Sequence, residues 1–268
     1  MNAPTTQALV VAAQEGAVLR LTLNRASARN ALSEGLMAAL QSALDTAAND
    51  KSVRVVIIGA DGPAFSAGHD LKEMTTRRSD ADKGRAYFAA LFTQCSKLMQ
   101  TIVRHPRPVI AQVQGIATAA GCQLVASCDL AVAADNARFA TPGVNIGLFC
   151  STPMVALSRN VGRKAAMHML LTGDLIDALT AIRIGLINEV VPATELGIRT
   201  AALAEKIASK SPLTLAIGKE AFYRQAELPL AEAYAYAAEV MVTNLSKRDA
   251  QEGIGAFIDK RSPAWCGQ

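Results

Sequence analysis

Two loops built from small residues hold the chemistry this chain can offer. The first is Gly62-Pro-Ala-Phe-Ser-Ala-Gly-His-Asp-Leu-Lys-Glu-Met74, and the second is Gln114-Gly-Ile-Ala-Thr-Ala-Ala-Gly-Cys-Gln123. Small side chains at the C-terminal end of a strand let a ligand come close to the backbone. Unpaired N–H groups there can donate to an oxygen that gains negative charge. Two such loops side by side would form an oxyanion hole, whereas either loop alone reads more readily as an ordinary tight turn.

Several other chemistries are excluded by pattern. No GxGxxG follows a strand and no GxxxxGK[ST] loop occurs, so neither a dinucleotide fingerprint nor a P-loop is present. There is no HExxH, and His69, His105 and His168 lie far apart without a metal-ligand spacing, so no metal site is expected. Phe65-Ser-Ala-Gly-His69 is not the GxSxG elbow of a serine hydrolase. The 27 Lys and Arg against 23 Asp and Glu give a scattered +4, which suits a phosphorylated small ligand better than nucleic acid. Cys95, Cys122, Cys128, Cys150 and Cys266 form an odd set without a CxxC pair. The first residues lack the basic start and apolar core of a secretion signal, so a cytoplasmic location is expected. The uncharged stretch from Pro108 to Cys128 is interrupted by Gln112, Gln114, Gln123 and Ser127, and it reads as buried strand, turn and helix rather than a membrane span.

The elements that must position these loops follow from periodicity. After a short polar tail, Val18 to Leu23 alternates like a half-buried strand, and Asn24 to Asn30 is a loop. Ser33 can cap a helix running to about Asp50, and the β-branched run from Val53 to Ile58 is a buried strand ending in the turn Asp61-Gly-Pro63. The unit recurs as a helix from Tyr87 to Val103, a strand from Pro108 to Val113, a short helix from Ala119 to Ala126 and a strand from Leu130 to Ala134. From Ser151 onward the pattern is mostly helical, with a brief strand from Leu186 to Val191. No linker divides the chain, which reads as one α/β domain with a helical C-terminal part.

Taken together, these segments resemble the crotonase superfamily, the enoyl-CoA hydratase/isomerase family, from Val18 almost to the C-terminus. The resemblance rests on Asn24 to Ser33, Ala64-Phe-Ser-Ala-Gly-His-Asp-Leu-Lys72, Pro108 to Gly115, Gly121 to Asp129, Phe139 to Gly147 and Leu171-Thr-Gly-Asp174, in that order and spacing. The wording His-Asp-Leu-Lys and Phe-Cys-Ser-Thr-Pro is most similar to an atypical branch of the family. The resemblance implies a ClpP-like α/β spiral of β-β-α turns over residues 1–195. It also implies a helical region, 196–268, that takes part in oligomerisation and CoA binding. It further implies a homotrimer or hexamer that takes acyl-CoA as substrate, with coenzyme A entering as part of that substrate and no tightly bound cofactor. Neither a nucleic acid nor a membrane partner is expected.

The family holds the thioester oxygen between two backbone N–H groups, which map onto His69, after Ala67-Gly68, and onto Ala120. The CoA body maps onto Ala28, Arg29 and Ala31, with Lys72 and Lys260 as phosphate contacts. Asp70, Leu71, Ala117, Pro142 and Asn145 map onto positions around the bound substrate, with Cys150 nearby. The departure is at the two glutamates that hold water in hydratases, because their positions here are Gln123 and Gly143. Glutamine orients water without taking its proton, and glycine offers no side chain at all, so hydration is expected to be very slow. His69 is the leading substitute base, since imidazole titrates near neutrality. Three readings follow: an enzyme on CoA thioesters using an enolate or acyl intermediate, a non-catalytic acyl-CoA binder or partner subunit, and a slow hydratase.

Overall fold

The computed structural model describes residues 7–268, so the first six residues of the segment read for a signal lie outside it. Strand β1 (Val10–Glu15) forms an antiparallel hairpin with β2 (Val18–Leu23), and the turn places Gly16 at φ 56°. What reads in the sequence as a polar tail is therefore an edge strand. It is held by backbone pairing and is mostly exposed, so it carries no hydrophobic alternation to announce it.

Helix α1 (Glu34–Asn49) follows, and the Ser33 hydroxyl accepts from Leu36 N at 3.1 Å, as the capping residue requires. It buries Leu36, Met37, Leu40, Leu44 and Ala47 on one stripe. Strand β3 (Val55–Ala60) then runs parallel to β2. The short strand β4 (Ala64–Ser66), helix α2 (Leu71–Thr76) and helix α3 (Arg85–Arg104) complete this turn of the spiral. The next turn supplies β5 (Val109–Val113), β6 (Ile116–Thr118) and α4 (Ala120–Ser127). Another supplies β7 (Leu130–Ala134), β8 (Arg138–Ala140), α5 (Pro153–Asn160) and α6 (Arg163–Thr172). Strand β9 (Ile176–Asp177), helix α7 (Ala178–Arg183) and strand β10 (Glu189–Val191) close the series. The apolar run from Leu186 thus contributes only its last residues to a strand. Helices α8 (Leu196–Ala208), α9 (Pro212–Gln225), α10 (Leu230–Leu245) and α11 (Arg248–Ile258) make up the C-terminal part.

Each turn sends one strand to a six-stranded sheet, ordered β1-β2-β3-β5-β7-β10, and one to a four-stranded sheet, ordered β4-β6-β8-β9. The large sheet is parallel beyond its first hairpin and is buried on both faces, which is why β3 reads as continuous apolar sequence. Val56 and Ile58 enter the main core with α1 and α3, while Val55 and Ile57 face the other way and pack with Leu196, Ala204 and Ala208 of α8. The small sheet has strands of two or three residues, too short to leave a period in the sequence. Yet its strands β4 and β6 lead directly into the two loops of interest.

A buried ion pair fastens the C-terminal helices to this core. Lys219 on α9 places Nζ 2.6 Å from Asp129 Oδ2 and also donates to the carbonyls of Ile102 and Arg107. Tyr223 donates to Asp129 Oδ1 at 2.9 Å, and Val109 N donates to Oδ2 at 2.7 Å. Burial pulls the Lys219 ammonium below its usual range, and the Asp129 carboxylate opposes that shift. Removing one member of such a pair strands the other in the core. Lys219→Met is accordingly expected to lower the stability measured by urea unfolding by about 3 kcal/mol, and adding Asp129→Asn should recover part of the loss. A single variant as stable as the wild type would show that the pair does not anchor the helix.

Candidate functional site

The loop after β4 is held by its backbone. Ala67 N donates to Arg29 O at 3.0 Å, and Leu32 N donates to Gly68 O at 2.7 Å. Ser66 Oγ donates to Asn30 O and accepts from Gly68 N. Asn30 is fully buried, and its amide nitrogen donates to the carbonyls of Asp61 and Ala64, both at 2.8 Å. Because a trans peptide directs its C=O and N–H to opposite sides, committing Gly68 O to Leu32 turns the His69 N–H away from Leu32. Among the described residues this N–H has no acceptor. Gly68 sits at φ 91°, and a Cβ there would lie 2.8 Å from Ala119 Cβ and 3.3 Å from Ala120 N. The first loop therefore abuts the second at this residue.

The second loop turns at Ala119, which adopts φ 51° and ψ −119°, a strained conformation for a residue with a Cβ. Its own N–H goes to Ala140 O at 2.9 Å, and its carbonyl accepts from Gln123 N at 3.0 Å. The following N–H, that of Ala120, opens helix α4 with no acceptor among the described residues. First-turn amides of a helix are unpaired and carry partial positive charge, so this donor favours an anion. Gly121 packs so closely on the Ser66 carbonyl that a Cβ would overlap it. The two expected donors, His69 and Ala120, are thus brought together by the contacts of Gly68 and Gly121.

Several side chains packed on these elements are neutral. Gln123 is 5% exposed, with Oε1 4.0 Å from Cys95 Sγ on α3. His69 stacks edge-on against Phe92, one turn earlier on the same helix, with ring centroids 5.3 Å apart. Its Nε2 is buried without a partner among the described residues, and burial lowers its pKa to about 4. Burial pushes the thiols of Cys95 and Cys122 up to about 12 and raises that of Cys150, whose Sγ accepts from Gly143 N at 3.4 Å. Gly143 has no space for a side chain, since a Cβ would lie 2.5 Å from Leu148 O and 2.9 Å from Cys150 Sγ. Position 143 is closed by the chain's own turn, in which Leu148 N donates to Gly143 O at 2.9 Å.

The other sequence-predicted residues fall into two groups. Ala28, Arg29 and Ala31 lie on the loop bridged to Ala67 and Gly68, and Arg29 is exposed at φ 51°. Lys72 is exposed on the first turn of α2, next to the exposed Leu71, and the Asp70 carboxylate caps that helix through the N–H groups of Lys72 and Glu73. Ala117 is fully buried in β6, Pro142 is half-buried and Asn145 is exposed. Lys260, by contrast, follows α11, which packs on α9 and α10, and among the described residues no hydrogen bond or ion pair joins it to the two loops. The pairing of Arg25 with Asp70 and the hub at Asn30 escaped sequence reasoning. The only signal was polar residues bracketing a loop between strand and helix.

The profile of the enoyl-CoA hydratase/isomerase family matches residues 13–268. Enoyl-CoA hydratase domain-containing protein 3, mitochondrial, of Mus musculus is 51% identical over 252 residues, covering 94% of this chain and 82% of the mouse protein. A crystal structure of an enoyl-CoA hydratase of Mycobacterium smegmatis superposes with TM-score 0.91 at 51% identity, covering 96% of this chain and 98% of that one. The human domain-containing protein 3 superposes with TM-score 0.91 at 50% identity, covering 96% of this chain and all of the other. The similarity to that atypical branch is therefore shown, along with the crotonase fold. The mitochondrial designation of the mouse relative overturns the cytoplasmic expectation. Cysteines without disulfides do not single out one compartment. By its matched profile, its relatives and its fold, the chain belongs to the enoyl-CoA hydratase/isomerase family.

Proposed function

We propose that this protein binds acyl-CoA thioesters with the carbonyl oxygen between the N–H groups of His69 and Ala120, and acts on them by chemistry other than hydration. The observation that carries this reading is a pair of backbone donors without acceptors among the described residues, together with a position 143 whose turn leaves no room for a side chain. Such donors stabilise an enolate or tetrahedral oxyanion without reorganising, and each commonly contributes about 10²–10³ in rate. Hydration needs carboxylates to grip and deprotonate water. Gln123 supplies only an amide and Gly143 nothing. Decarboxylation, hydrolysis or dehalogenation through an enolate or acyl intermediate fits what remains. The absence of a carboxylate at positions 123 and 143 also supports the second reading, a non-catalytic acyl-CoA binder or partner subunit.

The CoA body would lie along Ala28, Arg29 and Ala31, with Lys72 as a flexible point charge for phosphate. Lys260 shares no hydrogen bond with those loops among the described residues, and a contribution from another copy would accord with a homotrimer or hexamer joined through the helical C-terminal region. Phe222, Tyr234, Met241, Val242, Phe257 and Ile258 are each more than half exposed there and invite burial. The expected mass in solution is three or six times the 28.1 kDa of one chain, and sedimentation of a single-chain species would refute the assembly.

Calorimetry with short and medium acyl-CoAs is expected to show binding, and none at millimolar ligand would sink the reading. Crotonyl-CoA hydration should be far slower than for a glutamate-bearing hydratase. Gln123→Glu restores one carboxylate in place, whereas Gly143→Glu drives a side chain into Leu148 O and should destabilise the fold instead of restoring activity. Wild-type hydration at an ordinary hydratase rate would overturn the proposal.

Burial makes His69 a poor base near neutrality, because a conjugate acid of pKa about 4 holds too little driving force for proton abstraction. The folded pKa lies below the unfolded value of 6.5, so the unfolded chain takes up the proton first and stability is lost as pH falls from 6.5 toward 4. His69→Phe should remove that component. Between pH 7 and pH 4.5 wild type is expected to lose roughly 2–3 kcal/mol more stability than the variant by urea unfolding. Equal losses would show that the ring is solvated.

A further inference from the structure

We propose that Arg25 is a positioning residue for the thioester-oxygen site, its ion pair with Asp70 holding the His69 peptide so that its N–H aims at the bound carbonyl. The inference rests on the acyl-CoA reading above. Two backbone bonds flank the His69 peptide, and they are unequal. Leu32 N reaches Gly68 O at 2.7 Å, but Asp70 N reaches Leu32 O only at 3.4 Å, so the backbone bridge is weak on the C-terminal side of His69.

Arg25 reinforces that side. Its Nη1 donates to Asp70 Oδ2 at 2.6 Å and to Ala31 O at 3.2 Å, so one guanidinium joins residues 31 and 70. Arg25 is itself fixed, because its N–H donates to Asn30 Oδ1 at 2.8 Å and Asn30 is locked to Asp61 and Ala64. The Asp70 carboxylate is largely shielded from water and Arg25 partly so, with side-chain exposures of 8% and 27%. The other Asp70 oxygen, Oδ1, caps α2 through Lys72 N at 2.9 Å and Glu73 N at 3.3 Å. Each carboxylate oxygen therefore has a separate task, and the ion pair can be removed without removing the cap, since asparagine also caps helices well.

The test compares wild type with Arg25→Gln, Arg25→Lys and Asp70→Asn, using butyryl-CoA labelled with ¹³C at the thioester carbonyl and, separately, CoA itself. Difference infrared spectroscopy reads polarisation of the bound carbonyl, and calorimetry reads affinity. Wild type is expected to shift the carbonyl band to lower frequency. Arg25→Gln and Asp70→Asn should lose most of that shift and bind butyryl-CoA about tenfold more weakly, the scale of one charge-assisted hydrogen bond. Their affinity for CoA, which has no carbonyl, should change much less, and Arg25→Lys should recover part of the band shift. Variants that keep the full shift would overturn the proposal, as would equal losses of CoA and butyryl-CoA affinity, which mark a merely structural residue. A wild type that binds butyryl-CoA without any band shift would instead bring down the oxyanion-hole reading, and the proposal with it.

Discussion

The bond from Leu32 N to Gly68 O decides the direction of the peptide on which the site depends. A peptide group has one carbonyl and one N–H on opposite sides, so satisfying the carbonyl internally leaves the N–H of His69 free on the other face. The same logic operates in the second loop, where the Ala119 carbonyl is taken by Gln123 N and the next amide begins a helix with nothing to donate to. Buried amides without acceptors are rare, because leaving them unmade costs about 1–3 kcal/mol each. Two of them, on loops that touch at Gly68, are the observation behind the proposed site for an oxygen.

Holding that arrangement requires close approach of backbone to backbone. Gly68 and Gly121 are the residues at which the loops touch, and any side chain there would push them apart. Strain at Ala119 belongs to the same design, since a turn at positive φ presents the first amide of α4 to the facing loop. Asn30 and Ser66 fill the remaining polar space with hydrogen bonds to carbonyls, which leaves the first loop little freedom to relax.

The two positions to which the resemblance assigns glutamates differ in kind. Gln123 lies on a buried helix with a side chain of a glutamate's volume, whereas at Gly143 the turn through Leu148 and Cys150 has closed over the place a side chain would occupy. With His69 neutral and the thiols of Cys95 and Cys122 held protonated by burial, these side chains add no ready proton acceptor near neutrality, in keeping with the function proposed above.

The sequence by itself determined the α/β class, the long helices and the buried parallel strands, because each carries a period of its own. Its loops were legible as small-residue segments after strands, and the family resemblance assigned the two expected donors to His69 and Ala120. The edge strand at Val10–Glu15 and the short strands of the second sheet were not legible, since backbone pairing holds them and no stretch of apolar period marks them. Nor could the sequence disclose that position 143 has no room, that His69 is desolvated against Phe92, or that Arg25 meets Asp70 across 45 residues. Direction of an amide, space at a Cβ and solvation of a ring are properties of neighbours distant in the chain. Only the tertiary structure, by bringing those neighbours together, decides them.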